Sequence, residues 1–219
     1  MFTSPTLRMA KFTIDIVSDT VCPWCYVGFK RLNKAITSFK QTHPDATFDI
    51  KWHPYYLNPS APKVSVDKKK VFEEKFGRER VAMMHRRLAA IGHQEGINFA
   101  FGGKTGNTRK SHRIIYLAGE KGVQNEVVEQ LFISYFENEK DITDDAVLKE
   151  AAINGGLKPE DVDNYLASDL GGPQVDKEVG DAQLRFIQGV PHYTINGKSE
   201  IGGAQDPDAF IEIFELYNE

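Results

Sequence analysis

Cys22 and Cys25 are the only cysteines in a chain of 219 residues, and they stand three positions apart in the run Cys22-Pro23-Trp24-Cys25. A disulfide between them closes so short a loop that it restrains the unfolded chain little, so the pair serves reactivity or metal binding and not stapling. A structural zinc site needs about four ligands, commonly a second cysteine pair or closely spaced histidines. The histidines His43, His53, His85, His93, His112 and His192 are scattered without that spacing, and no metal is expected. What is left is thiol chemistry, in which one sulfur attacks a disulfide and the other resolves the mixed disulfide that results.

Roles within the pair follow from the elements that must hold it. Residues 11–17, KFTIDIV, alternate Phe12, Ile14 and Ile16 with Thr13, Asp15 and Val17, which predicts a strand. After a turn at 18–21, a helix is predicted from the CPWC run to His43-Pro44, with Val27, Leu32, Ile36 and Phe39 on its apolar side. A second strand follows at 47–56. Cys22 then falls at the helix N-terminus, whose free N–H groups and positive dipole end favour a thiolate. It is expected to be the exposed nucleophile, with a lowered pKa. Pro23 suits the first helical position, where its missing N–H leaves no partner wanting. Cys25, one turn on, lies deeper on the same face and reads as the resolving thiol.

Further along, Pro59 to Pro62 mark a change from strand to helix. Helices are predicted near 67–91, 108–121, 125–137, 144–154 and 159–167, with a glycine-rich stretch at 102–106 and Gly171-Gly172-Pro173 closing the block. Thr143 or Asp144 can cap the fourth of these, and Pro159 suits the first turn of the fifth. Residues 174–188 predict one more helix. Tyr193 to Ile195 and Ser199 to Ile201, joined by Asn196-Gly197, predict a hairpin. A terminal helix at 206–217 sets Phe210, Ile213, Phe214 and Tyr217 at core spacing. The pattern is α/β: a βαβ…ββα frame from 10–60 and 173–219, interrupted by an all-helical insertion domain at 61–172.

Composition removes several classes of function. With 27 Lys plus Arg against 31 Asp plus Glu, the net charge of −4 is too balanced for a protein that works by neutralising phosphates, so no nucleic-acid partner is expected. Mean hydropathy is −0.41, and no apolar run approaches the ~20 residues that cross a bilayer. The start, MFTSPTLRMAKF, lacks the apolar stretch of ~7–15 residues of a secretory signal. The cytoplasm is therefore the expected compartment, with the mitochondrial matrix the lesser alternative because no acid precedes Asp15. Gly103-Lys104-Thr105 looks like the end of a phosphate-binding loop, but the leading glycine would have to stand at Asn98. Arg78, Arg80, Arg86 and Arg87 interleave with Glu73, Glu74 and Glu79, which reads as a solvated helix face. Asp15, flanked by apolar residues on the strand leading to the thiols, is either an acceptor for the Cys25 proton or a hydrogen-bonded structural acid.

The runs SDTVCPWCYVGFKRL at 18–32, KWHPYYLNP at 51–59, GINFAF at 96–101, NTRKSHR at 107–113, LFISYFENEKDITD at 131–144 and GVPHYTINGKSEIGGAQ at 189–205 cover most of the chain. In them the chain resembles the DsbA family of the thioredoxin superfamily, in its FrnE-like branch. The resemblance implies a thioredoxin-like fold with a helical insertion, and a thiol–disulfide oxidoreductase acting on a protein or small-molecule disulfide or dithiol. No bound cofactor is implied; glutathione or another thiol–disulfide couple is the co-substrate the resemblance admits. It also implies that Pro191 is the cis proline facing CPWC, that the Val190 backbone is free to pair with an extended substrate, and that Pro23 and Trp24 touch that substrate. His53 and His192 are placed near the redox site, either to tune the thiolate or in structural roles. Relatives without the cysteines are glutathione-dependent transferases or isomerases, of the kappa-class and 2-hydroxychromene-2-carboxylate isomerase kind, so this is the alternative activity. A holdase using the groove between frame and insertion is the non-enzymatic one.

Overall fold

Alternation of apolar and polar residues makes a strand of Lys11–Ser18 (β1), and its position in the sheet decides the rest. The computed structural model describes residues 10–218, so most of the N-terminal stretch read for a targeting signal lies outside it. β1 pairs in parallel with Thr47–Pro54 (β2) after the helix Pro23–Thr42 (α1), and antiparallel with His192–Ile195 (β5), which turns at Asn196-Gly197 into Ser199–Gly202 (β6). The sheet order is β2-β1-β5-β6. One face carries Ile14, Ile16 and Tyr193 against α1 and the C-terminal helix Pro207–Leu216 (α9), with Phe12, Phe39, Phe210 and Phe214 buried between them. This is the βαβ…ββα frame of a thioredoxin-like fold.

Between β2 and β5 the chain is mostly helical: Lys68–Phe76 (α2), Arg78–Glu95 (α3), Arg109–Lys121 (α4), Gln124–Phe132 (α5), Asp145–Asn154 (α6), Pro159–Leu166 (α7) and Gly172–Leu184 (α8). The predicted helix at 67–91 is in fact two, because Gly77 takes φ +82 and ends α2 before α3 starts. Two residues of the glycine-rich stretch, Lys104–Thr105 (β4), pair with Val66–Asp67 (β3), a ribbon too short for periodicity to reveal. The predicted helix at 125–137 continues past α5 as one wider turn over Ile133–Glu137. Asp144 caps α6 by accepting from the Ala146 N–H at 2.8 Å.

The helices meet the sheet through an aromatic seam, with Tyr26 stacked on Phe132 at 5.1 Å and Trp52 edge-on to Phe29 at 5.5 Å. Polar ties fix its register: the Tyr26 hydroxyl donates to Glu137 at 2.6 Å and the Trp52 indole to Asn125 at 2.6 Å.

On the sheet's other face, Val17 packs with Ala182 and Ile187 at α8 and the loop after it. Asp15 and His53 share that face, since side chains alternate along β1 and β2. His53 lies between two carboxylates, Nε2 at 2.8 Å from Asp15 and Nδ1 at 2.9 Å from Glu178, and the Glu178 hydrogen bond leads in raising its pKa above the ordinary value. A raised folded-state pKa contributes stability that is fully present below the unfolded value of ~6.5 and is lost as pH rises through the folded one. The side chains are about a third exposed, so screening holds the contribution to about 1 kcal/mol or less. Denaturant unfolding should therefore show His53→Gln further below the parent at mildly acid pH than at alkaline pH. A gap that is constant or widens with pH would count against a protonated His53 bridge.

Candidate active site

The thiols occupy the junction where β1 gives way to α1. Cys22 is the N-cap of α1 in extended conformation (φ −91, ψ 110), with Pro23 in the first turn, as the spacing predicts. Its N–H donates to Asp19 O at 3.0 Å, and its carbonyl accepts from the Cys25 N–H at 3.0 Å, so a tight turn presents both sulfurs on one side. Both are free thiols.

The order of exposure runs as expected, but the degree does not. Cys22 retains 4% exposure and Cys25 none, so the nucleophile position is nearly covered and not exposed. The cover comes from the loop before β5. There the Val190–Pro191 peptide bond is cis, and the Val190 carbonyl accepts from Cys22 Sγ at 3.5 Å across 168 residues of sequence. That carbonyl faces the thiol. Pro23 is partly buried beside it, and Trp24 is 38% exposed at the surface.

Burial raises the Cys25 thiol well above its ordinary range, and the adjacent Cys22 raises it further. The Ser18 hydroxyl and the Asp19 backbone oppose this by hydrogen-bonding to the Cys25 sulfur.

Asp15, His53 and His192 are not brought to the thiols. Asp15 and His53 sit on the α8 face, engaged with each other and Glu178. His192, paired with Val17 in the ladder, shares that face; its Nε2 is buried without a hydrogen-bond partner among the described residues, 3.8 Å from Glu200. The period-two alternation that marks these strands sends these side chains away from the sulfurs. Among the described residues no three His, Cys, Asp or Glu side chains gather as metal ligands, and no helix is long and apolar enough to cross a membrane.

Other residues at the site stand in the runs that carry the resemblance, but their type and spacing assign them no role. Asp19, 1% exposed, accepts from the Leu57 N–H at 2.8 Å and lies 3.3 Å from His112 Nε2. That nitrogen also faces the Tyr55 carbonyl at 3.1 Å, and with acceptors on both sides it must carry the proton. Thr20 and Ser111 join hydroxyls at 2.8 Å. Together these contacts tie the turn before Cys22 to α4, across about ninety residues of sequence. Tyr193, next but one after Pro191, buries a hydroxyl with no hydrogen-bond partner among the described residues, and burial holds its pKa well above the usual value.

The sequence profile of the DSBA-like thioredoxin domain matches residues 13–215. The chain belongs to that family. Among solved structures it is similar to a probable DsbA oxidoreductase from Streptomyces coelicolor, with 25% identity, TM-score 0.85, and 94% of this chain and 89% of that one covered. It is also similar in fold to a 2-hydroxychromene-2-carboxylate isomerase, at 15% identity and TM-score 0.67 with 93% of each chain covered. A further likeness is to the cytosolic disulfide reductase DsbM from Pseudomonas aeruginosa with GSH, at 12% identity and TM-score 0.58 over 94% of this chain and 95% of that one. No curated protein sequence matches the chain.

Gly28 explains how α1 fits so close to the proline loop. A Cβ there would stand 2.1 Å from the Tyr193 hydroxyl and 3.1 Å from Pro191 Cγ. Gly28→Ala should gain up to ~1 kcal/mol of helix propensity but lose ~1–3 kcal/mol to overpacking. A lower melting midpoint is expected, recovered in part by adding Tyr193→Phe, which removes the clashing oxygen. Unchanged or raised stability in the single variant would show that α1 can move away from Pro191.

Proposed function

We propose that the chain is a thiol–disulfide oxidoreductase with Cys22 as nucleophile and Cys25 as resolving thiol. The observation that carries this reading is the cysteine pair on the first turn of α1 with Cys22 Sγ against the Val190 carbonyl. It is the more accessible sulfur, and it lies at the end of a helix that favours an anion. In the reaction the Cys22 thiolate attacks one sulfur of a substrate disulfide, the substrate S–S bond breaks, and the first substrate thiol leaves. Cys25, having lost its proton, then attacks Cys22 Sγ and releases the second thiol. The substrate gains two electrons, the pair becomes a Cys22–Cys25 disulfide, and the reverse sequence oxidises a dithiol. Pro23, Trp24 and Val190 border the approach to Cys22, and Pro191 is the proline of the facing loop.

In this reading residues 10–60 and 173–219 form the redox frame, 61–172 cap it, and the chain falls in the FrnE-like branch that the runs around CPWC and GVPHY resemble. It acts in the cytoplasm, with glutathione or another thiol couple as co-substrate and no metal or bound organic cofactor. The likeness to a reductase determined with GSH supports the glutathione part. A glutathione-dependent isomerase is the alternative that the 2-hydroxychromene-2-carboxylate isomerase likeness keeps in view, and both cysteines weigh against it.

Cys25→Ser should accumulate mixed disulfides on Cys22, visible as a mass increase equal to one half of the disulfide offered. Cys22→Ser should be inert in exchange, and alkylation of the reduced parent should label Cys22 before Cys25. Full exchange activity in Cys22→Ser would end this reading, and Cys25-first labelling would reverse the roles.

A further inference from the structure

Beside CPWC lies a cavity of about 220 Å³, with Pro23 and Trp24 in one wall and Phe99, Phe101, Tyr135 and Phe136 in the others. It opens against the motif that carries the thiols, and its lining is mainly apolar. Lys68, Lys69, His85 and Arg87 border it, and among the described residues no acidic side chain does.

Lys68 stands out among them. Although a lysine, it is only 8% exposed. Its ammonium lies 4.4 Å from the centroid of the Tyr135 ring and has no hydrogen bond or ion pair among the described residues. The carboxylate that acts on it from a distance, Glu139, is engaged by the Gly102 N–H at 2.6 Å. Burial pulls the Lys68 pKa down to about 8. His85, stacked on Phe101 at 4.1 Å, is likewise held below its usual pKa, by burial first and then by the Lys68 and Lys69 charges. Burying an unpaired ammonium is costly unless something supplies the counter-charge. Here the cation borders a cavity that can receive one.

We propose that this cavity is an acid-binding subsite for a small disulfide substrate, taking an apolar or aromatic body whose carboxylate pairs with the Lys68 ammonium. The substrate part of this inference rests on the exchange reaction proposed above; the binding part does not. Size selects the class. A cavity of ~150 Å³ holds benzene, so about 220 Å³ has room for one ring with its carboxylate. The aromatic walls supply the apolar contact, and beside the largely buried Lys68 a charge-assisted pair is stronger than at the surface.

Two arms test it on the full chain. In the first, an unreactive aryl acid, nitrobenzoate, and its uncharged amide are titrated by calorimetry. Lys68→Met should weaken acid binding roughly tenfold or more, about 1.4 kcal/mol, with the amide unchanged and Lys68→Arg retaining most of the affinity. Equal acid binding by the parent and Lys68→Met, or none by the parent, would overturn the subsite. In the second arm, the reduced protein meets dithiobis-nitrobenzoate, a disulfide with a carboxylate on each ring, or the uncharged dithiodipyridine. Lys68→Met should slow the first at least tenfold and leave the second unchanged. If the acid binds through Lys68 but neither disulfide reacts with the parent, the exchange reading has failed while the subsite stands. If both react and neither depends on Lys68, the cavity is no substrate site. Dependence on Lys68 for an acidic peptide disulfide, with none for the small acid, would assign the site to polypeptides and overturn the small-molecule claim.

Discussion

The ladder between β1 and β5 sets Ile16 against Tyr193 and Val17 against His192, and through those pairs it brings together two stretches of chain some 170 residues apart. β1 releases α1 with its two thiols at one end of this ladder, and β5 begins at the same end with the cis Val190–Pro191 bond just before it. The pairing therefore fixes where the Val190 carbonyl meets Cys22. Antiparallel bonds allow no slip by one residue without exchanging the two faces of the strand, and here both faces are in use. Ile14, Ile16 and Tyr193 need the α1 and α9 side, while Val17 needs the α8 side.

Burial and hydrogen bonding oppose each other at the sulfurs. Cys25 is enclosed, and its charged form is disfavoured by lost hydration; Ser18 and the Asp19 backbone return part of what water no longer supplies. Cys22 keeps a small opening at the helix start. The difference in accessibility suits the two roles in the proposed exchange, because only the first sulfur must meet an external partner. The turn that carries both is held from behind by Asp19, Thr20, Ser111 and His112, which are buried with partners on the other side of the interface. Polar groups so enclosed are costly to leave unpaired, so the network ties the turn to α4 as firmly as apolar packing does.

The helical segment also builds a second wall beside the redox motif. Its aromatic residues seat Tyr26, Phe29 and Trp52 of the frame, and its α2 brings Lys68 under Tyr135. Beyond the Tyr135 ring that cation has no hydrogen bond or ion pair among the described residues, which is the reason for looking to a ligand. The same segment thus anchors the turn that carries the thiols and lines the cavity beside it.

Much of this was legible in the residues themselves. Period-two alternation at 11–17, helical spacing after Cys22, the Asn196-Gly197 turn and the apolar face of 206–217 each marks an element through forces acting over a few residues. The helix-start position of Cys22 and the deeper place of Cys25 follow from those same local rules. The resemblance carried by CPWC and GVPHY joined the two ends of the chain, which spacing alone does not do. The break at Gly77 and the β3–β4 ribbon escaped because each turns on one or two residues in a particular backbone conformation. Asp15, His53 and His192 were drawn toward the thiols by their neighbours in sequence, yet the alternation of strand side chains sends them to the α8 face. Asp19, His112, Tyr193 and Lys68 show the opposite case: ordinary residues in the sequence, they gain their surroundings only when distant elements enclose them. Element types and the redox pair are decided by local chemistry, which one segment contains in full. Burial, orphaned polar groups and the cavity arise from packing between segments, and so only the tertiary structure could decide them.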